Sequence, residues 1–219
     1  MRTETIDWQT GEAPRVSGVM HWADSSNGTG LVVTHGAGSN ATSAWLCELA
    51  DAFAAAGFPA LRCDLPYRQA RRTGPPRPAE AARDRLGLAA AAAWMRAQGV
   101  ERMLLGGHSY GGRQASMLAA EQPNLAAGLV LCSYPLHPPG RPEQLRTAHL
   151  GEIRVPCLVV HGTKDTFGSP EELSHAFAAV PGGVRFLQVD RAAHDLKTPA
   201  GFGVLAGRVA AAAIEQFLR

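Results

Sequence analysis

Gly106-Gly107-His108-Ser109-Tyr110-Gly111-Gly112 is the stretch on which the reading of this chain turns. Residues 107–111 hold the pattern Gly-x-Ser-x-Gly. An apolar run, Met103-Leu104-Leu105, leads into it, and a helix-like stretch from Arg113 to Glu121 leads out. Strand, tight turn and helix in that order push a serine hydroxyl out past the edge of a sheet, where it can act as a nucleophile. The turn calls for glycine neighbours, because a Cβ there would strike the adjoining strand or helix. The pattern alone is short and common; its setting and two partner residues downstream give it weight.

A serine hydroxyl is a poor nucleophile at neutral pH. It needs a base within hydrogen-bond reach and an acid that orients the base. Both belong just beyond the carboxyl ends of later strands. After the apolar run Cys157–Val160 the chain reads His161-Gly162-Thr163-Lys164-Asp165. After Val184–Val189 it reads Asp190-Arg191-Ala192-Ala193-His194-Asp195. Asp165 is therefore the candidate acid and His194 the candidate base. Asp190 and Asp195 are rival acids, but both flank the histidine loop. The intervals between Ser109, Asp165 and His194 hold ordinary helices, strands and one short excursion, and leave no room for a large cap.

The tetrahedral intermediate of such a reaction needs backbone N–H donors. Tyr110, at the helix start, supplies one. The other is assigned to Ala37, with Gly38 as runner-up, in the loop His35-Gly36-Ala37-Gly38 that comes after the run Leu31–Thr34. His35 reads as a structural hydrogen-bonder. Gly36, Gly38, His108, Arg113 and Lys164 read as residues that support the site or touch the substrate. His161 belongs with them. His21, His137, His149 and His175 show no metal-like spacing, so neither a metal nor another cofactor is expected.

The rest of the chain alternates. Residues 15–22 read as an early antiparallel strand, 31–34 and 58–63 as strands, and 42–56 as a helix stopped by Gly57. A long Ala-rich helix spans 79–98, and a strand covers 128–132. Residues 133–153, with Pro135, Pro138, Pro139 and Pro142, read as a short excursion over the strand ends. Helices are expected at 171–179 and 204–218. Alternation of this kind predicts a single domain over 1–219, with a mostly parallel sheet covered by helices on both faces. Arg68, Arg71, Arg72 and Arg77 crowd a Pro-rich stretch that reads as a solvated surface loop; an anion- or partner-docking loop is the sharper alternative.

Bulk properties narrow the class. The chain has 219 residues, 46% of them hydrophobic and 18% charged, with a formal net charge of +2, which suits an ordinary globule and implies no nucleic-acid partner. No apolar run is long enough for a membrane span, and no secretory signal is visible at Met1–Glu4. Cys47, Cys63, Cys132 and Cys157 lack C-x-x-C spacing and read as reduced, buried residues of a cytoplasmic protein. The bias to Arg and Ala is what a GC-rich bacterial genome produces. Oligomeric state is left open.

Gly-His-Ser-Tyr-Gly-Gly-Arg, Val-His-Gly-Thr-Lys-Asp, Ala-His-Asp-Leu-Lys and Thr-His-Gly-Ala-Gly together resemble the α/β-hydrolase superfamily over about residues 15–218. The likeness is to its small, capless, dienelactone-hydrolase-like branch. Within that branch the chain is similar to predicted hydrolases related to the testis-expressed and NSL-complex-subunit hydrolase-like proteins. The resemblance implies a Ser109, Asp165 and His194 triad acting on a small-molecule carboxylic ester or related acyl compound. Dienelactone hydrolases proper use a cysteine nucleophile, so their substrate is not carried over to a serine chain. Two other readings are weighed. A binding or scaffolding module could use the same fold without chemistry. A dinucleotide-binding oxidoreductase would use Gly36-Ala37-Gly38-Ser39-Asn40-Ala41 and Asp64. The second leaves Ser109, Asp165 and His194 without a role.

Overall fold

Strand and helix alternate because apolar runs of strand length alternate with longer runs of helical period. The computed structural model describes residues 2–218. Met1 and Arg219, the ends of the expected domain and of the N-terminal reading, lie outside the described residues. The elements are β1 (Arg2–Trp8), β2 (Val16–Trp22), β3 (Thr29–Thr34), α1 (Ala44–Ala55), β4 (Ala60–Cys63), α2 (Pro66–Ala70), α3 (Ala81–Ala97), β5 (Arg102–His108), α4 (Tyr110–Glu121), β6 (Gly128–Cys132), β7 (Cys157–Gly162), α5 (Pro170–Phe177), β8 (Val184–Val189) and α6 (Gly201–Phe217). Short 3-10 turns lie at Pro78–Glu80 and Leu150–Glu152.

One eight-stranded sheet runs in the order β1-β2-β4-β3-β5-β6-β7-β8. β1 pairs antiparallel with β2, and β2 antiparallel with β4. From β4 onward every neighbouring pair is parallel. The order reverses between β3 and β5, and at such a switch point the loops at the carboxyl ends part to leave a crevice. His35 and Ser109 come directly after those two strands.

Parallel strands buried on both faces read as unbroken apolar runs, and β3 is buried throughout. Its side chains alternate between two cores. Val32 packs under α3 and α4 with Leu88, Met95, Leu105 and Leu131. Leu31 and Val33 pack under α1 and α6 with Leu49, Phe53, Val130 and Val209. Cys63, Cys132 and Cys157 are free and buried in these cores, and burial pushes each thiol up to about 12. α5 starts on a capping box, with Ser169 and Glu172 exchanging hydrogen bonds across Pro170.

Three expectations need correction. The sequence marks no element ahead of residue 15, yet residues 2–8 form edge strand β1, seven cross-strand pairs long against β2. The basic loop is not simply solvated. Its start folds as α2, and Arg68 is only 7% exposed, with its guanidinium reaching the carbonyls of Ala37 and Gly74 at 3.0 Å each. Arg71 turns in toward Glu80 and the carbonyl of Pro75. The excursion over 133–153 does more than pass over the strand ends. Tyr134, Leu136, Leu150 and Ile153 are buried, and the Tyr134 ring meets Phe177 edge-on at 5.1 Å.

Candidate active site

The turn between β5 and α4 is under strain at one residue. Ser109 has φ 52° and ψ −116°, a conformation that non-glycine residues avoid. Its N–H donates to the carbonyl of Cys132 on β6 at 2.8 Å, which anchors the strained residue to the sheet. The neighbouring glycines are close-packed. A Cβ on Gly107 would stand 2.7 Å from backbone atoms of Gly111, Gly112 and Thr34. One on Gly111 would stand 2.7 Å from the carbonyl of His35. Substitution at either position therefore meets backbone, which cannot swing aside.

The loops after β7 and β8 bring Asp165 and His194 to this turn. His194 Nε2 lies 2.8 Å from Ser109 Oγ. His194 Nδ1 lies 2.8 Å and 3.0 Å from the two carboxylate oxygens of Asp165. The Asp165 side chain is wholly buried and also accepts the N–H of Phe167 at 2.9 Å. A buried carboxylate beside Nδ1 holds the proton there, leaving Nε2 free to accept from the serine. The rival acids point elsewhere: Asp190 pairs with Arg191, and Asp195 with Lys197.

Neighbouring residues hold this arrangement. His108 donates from Nε2 to the carbonyl of His194 at 2.7 Å, tying the histidine loop to the serine turn. Burial, then the charge of His194, lowers the His108 ring to about 4, so it stays neutral. The buried His161 donates from Nε2 to the carbonyl of Gly168 at 2.8 Å, closing the acid loop. Lys164 does not turn its side chain inward. The side chain is exposed, and only its N–H matters locally, donating to the carbonyl of Ala192 at 2.9 Å. Phe167, which the sequence does not single out, stacks on the His194 ring with centroids 4.1 Å apart. A lone aromatic in a loop has no periodic signature that would mark it.

The loop after β3 is clamped from inside. The Gly36 carbonyl accepts from His35 Nδ1 at 2.9 Å and from the Tyr67 hydroxyl at 3.3 Å. The Ala37 carbonyl accepts from Tyr67 at 2.9 Å and from Arg68 at 3.0 Å. His35 is the structural hydrogen-bonder expected: its Nε2 accepts the N–H of Leu65 at 3.2 Å, and burial lowers its basicity. In a trans peptide the N–H points away from the carbonyl before it. Pulling both carbonyls inward turns the N–H groups of Ala37 and Gly38 outward. The N–H of Tyr110, first in α4, has no partner within the helix. The sequence gives no sign of this role for Tyr67 and Arg68, because nothing local marks a residue whose acceptor lies some thirty positions earlier.

Ser109, Ala37 and Tyr110 open on a cleft of about 510 Å³. Its walls come from Pro75–Pro78 on one loop and from Pro135 and Arg146 on another, with Arg113, Met117 and Phe167 between them. A second recess of about 330 Å³ is bounded by Gly36, Trp45, His108, Asp195 and Phe202. The dinucleotide alternative fares poorly. The Asp64 carboxylate is engaged by the N–H of Ala41 at 2.7 Å, and a Cβ on Gly36 would meet His108 and Ser109.

Residues 27–218 match the family model for the alpha/beta hydrolase domain. The chain belongs to the α/β-hydrolase family. Solved structures share the whole architecture of this hydrolase. A dienelactone hydrolase from Anabaena variabilis superposes with a TM-score of 0.73 at 19% identity, covering 99% of this chain and 98% of that one. The esterase domain of a Rhodothermus marinus protein gives 0.74 at 18% identity, covering 99% and 100%. An α/β serine hydrolase without a lid from Xanthomonas campestris gives 0.68 at 16% identity, covering 98% and 94%. No curated protein matches the chain in sequence. The hydrolase shares the capless, dienelactone-hydrolase-like form expected from its motifs; the narrower likeness to the testis-expressed and NSL-complex-subunit proteins stays an expectation. Among the described residues no helix is long and apolar enough to cross a membrane.

Proposed function

We propose that this hydrolase cleaves a carboxylic ester, or a closely related acyl bond, of a small molecule through an acyl-enzyme on Ser109. The observation that carries the reading is the continuous hydrogen-bonded chain from Asp165 through His194 to Ser109 Oγ. Ser109 Oγ attacks the substrate carbonyl while its proton passes to His194 Nε2. The oxyanion that forms is met by the N–H groups of Tyr110 and Ala37. Asp165 holds the Nδ1 proton and stabilises the ring as it becomes charged. Collapse of the intermediate breaks the ester bond, and the departing alcohol takes the proton from His194. Water then attacks the acyl-enzyme, giving its proton to His194, and the acid leaves as Ser109 recovers its hydrogen.

Labelling with a fluorophosphonate tests this directly. The wild-type protein is expected to take up one equivalent at Ser109 and to lose ester hydrolysis in step with labelling. A protein that neither labels nor turns over p-nitrophenyl acetate would instead be a binding module on this fold.

A further inference from the structure

Three arginines and no carboxylate line the cleft in front of Ser109: Arg77, Arg113 and Arg146. Several arginines elsewhere pair with acids, as in Arg71 with Glu80, Arg85 with Glu121 and Arg185 with Glu215. Among the described residues neither Arg113 nor Arg146 has a carboxylate within ion-pair distance. Arg113 stands one helical turn beyond Ser109, its N–H bonded to the Ser109 carbonyl at 3.0 Å. Its Nε is buried without a hydrogen-bond partner. Arg146 is fixed by its backbone: its N–H donates to Leu136 at 2.8 Å, and its carbonyl accepts the Tyr134 hydroxyl at 2.7 Å. Its guanidinium reaches the Pro135 carbonyl at 3.2 Å.

The two side chains feel each other. Burial first, and then the charge of Arg113, lowers the basicity of Arg146. Burial and the charges of Arg113 and Arg85 hold His149 at about 4, so it is neutral and adds no positive charge of its own. Like charges gathered in a half-buried cleft repel, and the proline walls weaken solvent screening. An arrangement of this kind is relieved by an anion that enters from outside. A carboxylate fits best. Its two coplanar oxygens suit a guanidinium's parallel donors, and a singly charged group costs less to desolvate than a dianion.

We propose that Arg113 and Arg146 form a carboxylate subsite, so that the ester cleaved at Ser109 carries a free carboxylate away from the scissile bond. Arg77, exposed at the rim, draws the substrate in. The proposal rests on the serine-hydrolase reading and refines its substrate class.

The test compares acidic and neutral esters on each side of the scissile bond. On the acyl side, p-nitrophenyl hemiglutarate is set against p-nitrophenyl butyrate. On the alcohol side, 4-acetoxybenzoate is set against its methyl ester. On one side the acidic ester should have a kcat/KM higher by about tenfold or more, as charged hydrogen bonds of ordinary strength provide. Arg113→Gln and Arg146→Gln should each bring that ratio toward one. Arg113→Lys, which keeps the charge and removes the fork, should retain part of it and guards against a folding defect in the glutamine variants. Ratios near one on both sides, or a preference that both glutamine variants keep, overturn the subsite. If no ester is turned over at all, the hydrolase reading fails, and calorimetric titration with glutarate decides the subsite alone. Binding that Arg113→Gln abolishes supports it, and absence of binding overturns it.

Discussion

Ser109 shows how a single backbone conformation prepares a side chain for chemistry. Its positive φ lifts Oγ out of the sheet edge, and the hydrogen bond from its N–H to Cys132 keeps it there. Removing the hydroxyl leaves that backbone untouched. Ser109→Ala should therefore lower kcat by roughly 10⁴-fold or more while the melting temperature stays close to that of the wild type. Unchanged ester turnover in that variant would sink the assignment. The acid is discriminated in the same way. Asp165→Asn removes the carboxylate that fixes the His194 tautomer and should cost on the order of 10³–10⁴ in kcat. Asp190→Asn and Asp195→Asn remove exposed groups paired with their own neighbours and should cost little. Equal losses across all three would mean that the orienting acid is another group.

At the scale of elements, the site depends on how closely β5, α4 and the loop after β3 approach one another. Gly107 and Gly111 are contact points where main chain meets main chain. Gly107→Ala forces a Cβ to 2.7 Å from three backbone atoms and should destabilise the protein by at least about 1–3 kcal/mol, with loss of activity. Gly38 is the contrasting case. Its Cβ would meet nothing within 4 Å, and its φ is not in the left-handed region. Gly38→Ala should melt within a degree or two of the wild type. Chemical denaturation of the two variants side by side checks the pair. The need for glycine thus belongs to the serine turn and not to Gly38.

At the scale of the whole molecule, the fold encloses groups that set two properties. The first is acid sensitivity. His108 and His149 are each held at about 4 by burial and nearby positive charge, whereas an unfolded histidine titrates at 6.5. Between those values the unfolded chain binds more protons than the native one, so stability rises with pH. The stabilisation is complete above pH 6.5 and is lost as the pH falls toward 4. The Glu80 carboxyl, lowered to about 2 by Arg71 and the Arg77 N–H, adds its loss only below its ordinary 4.5. The melting temperature should fall between pH 6.5 and 4, and His149→Gln should shallow that slope; an identical slope would clear His149 of the effect. The second property is substrate size. Arg77, Arg113 and Arg146 stand in the lining of the cleft, and a charged lining withholds part of the roughly 0.8 kcal/mol per added CH₂ that an apolar tunnel would give. Across acetyl, butyryl, octanoyl and palmitoyl p-nitrophenyl esters, kcat/KM should not rise beyond butyryl. A tenfold rise from butyryl to octanoyl would reveal an acyl tunnel.

Local pattern was enough to read the order of elements from β2 onward apart from α2, the elbow at Gly107–Gly111, and Asp165 and His194 as the residues at the ends of β7 and β8. Each of these is encoded within one strand or one turn, where hydrophobic period and glycine placement act directly. Tertiary structure alone decided what depends on partners far away in the chain. β1 is a strand because β2 offers it an edge; its own residues are polar and carry little apolar pattern. Arg68 is buried because Ala37 and Gly74 present carbonyls to it, whereas a count of charges and prolines describes a solvated loop. Phe167 lies against His194, and Arg113 shares a cleft with Arg146, only because the segments after four strands, β5 to β8, converge at one edge of the sheet. Sequence names the groups able to do chemistry, but their separations are set by register and crossover, which no local stretch contains.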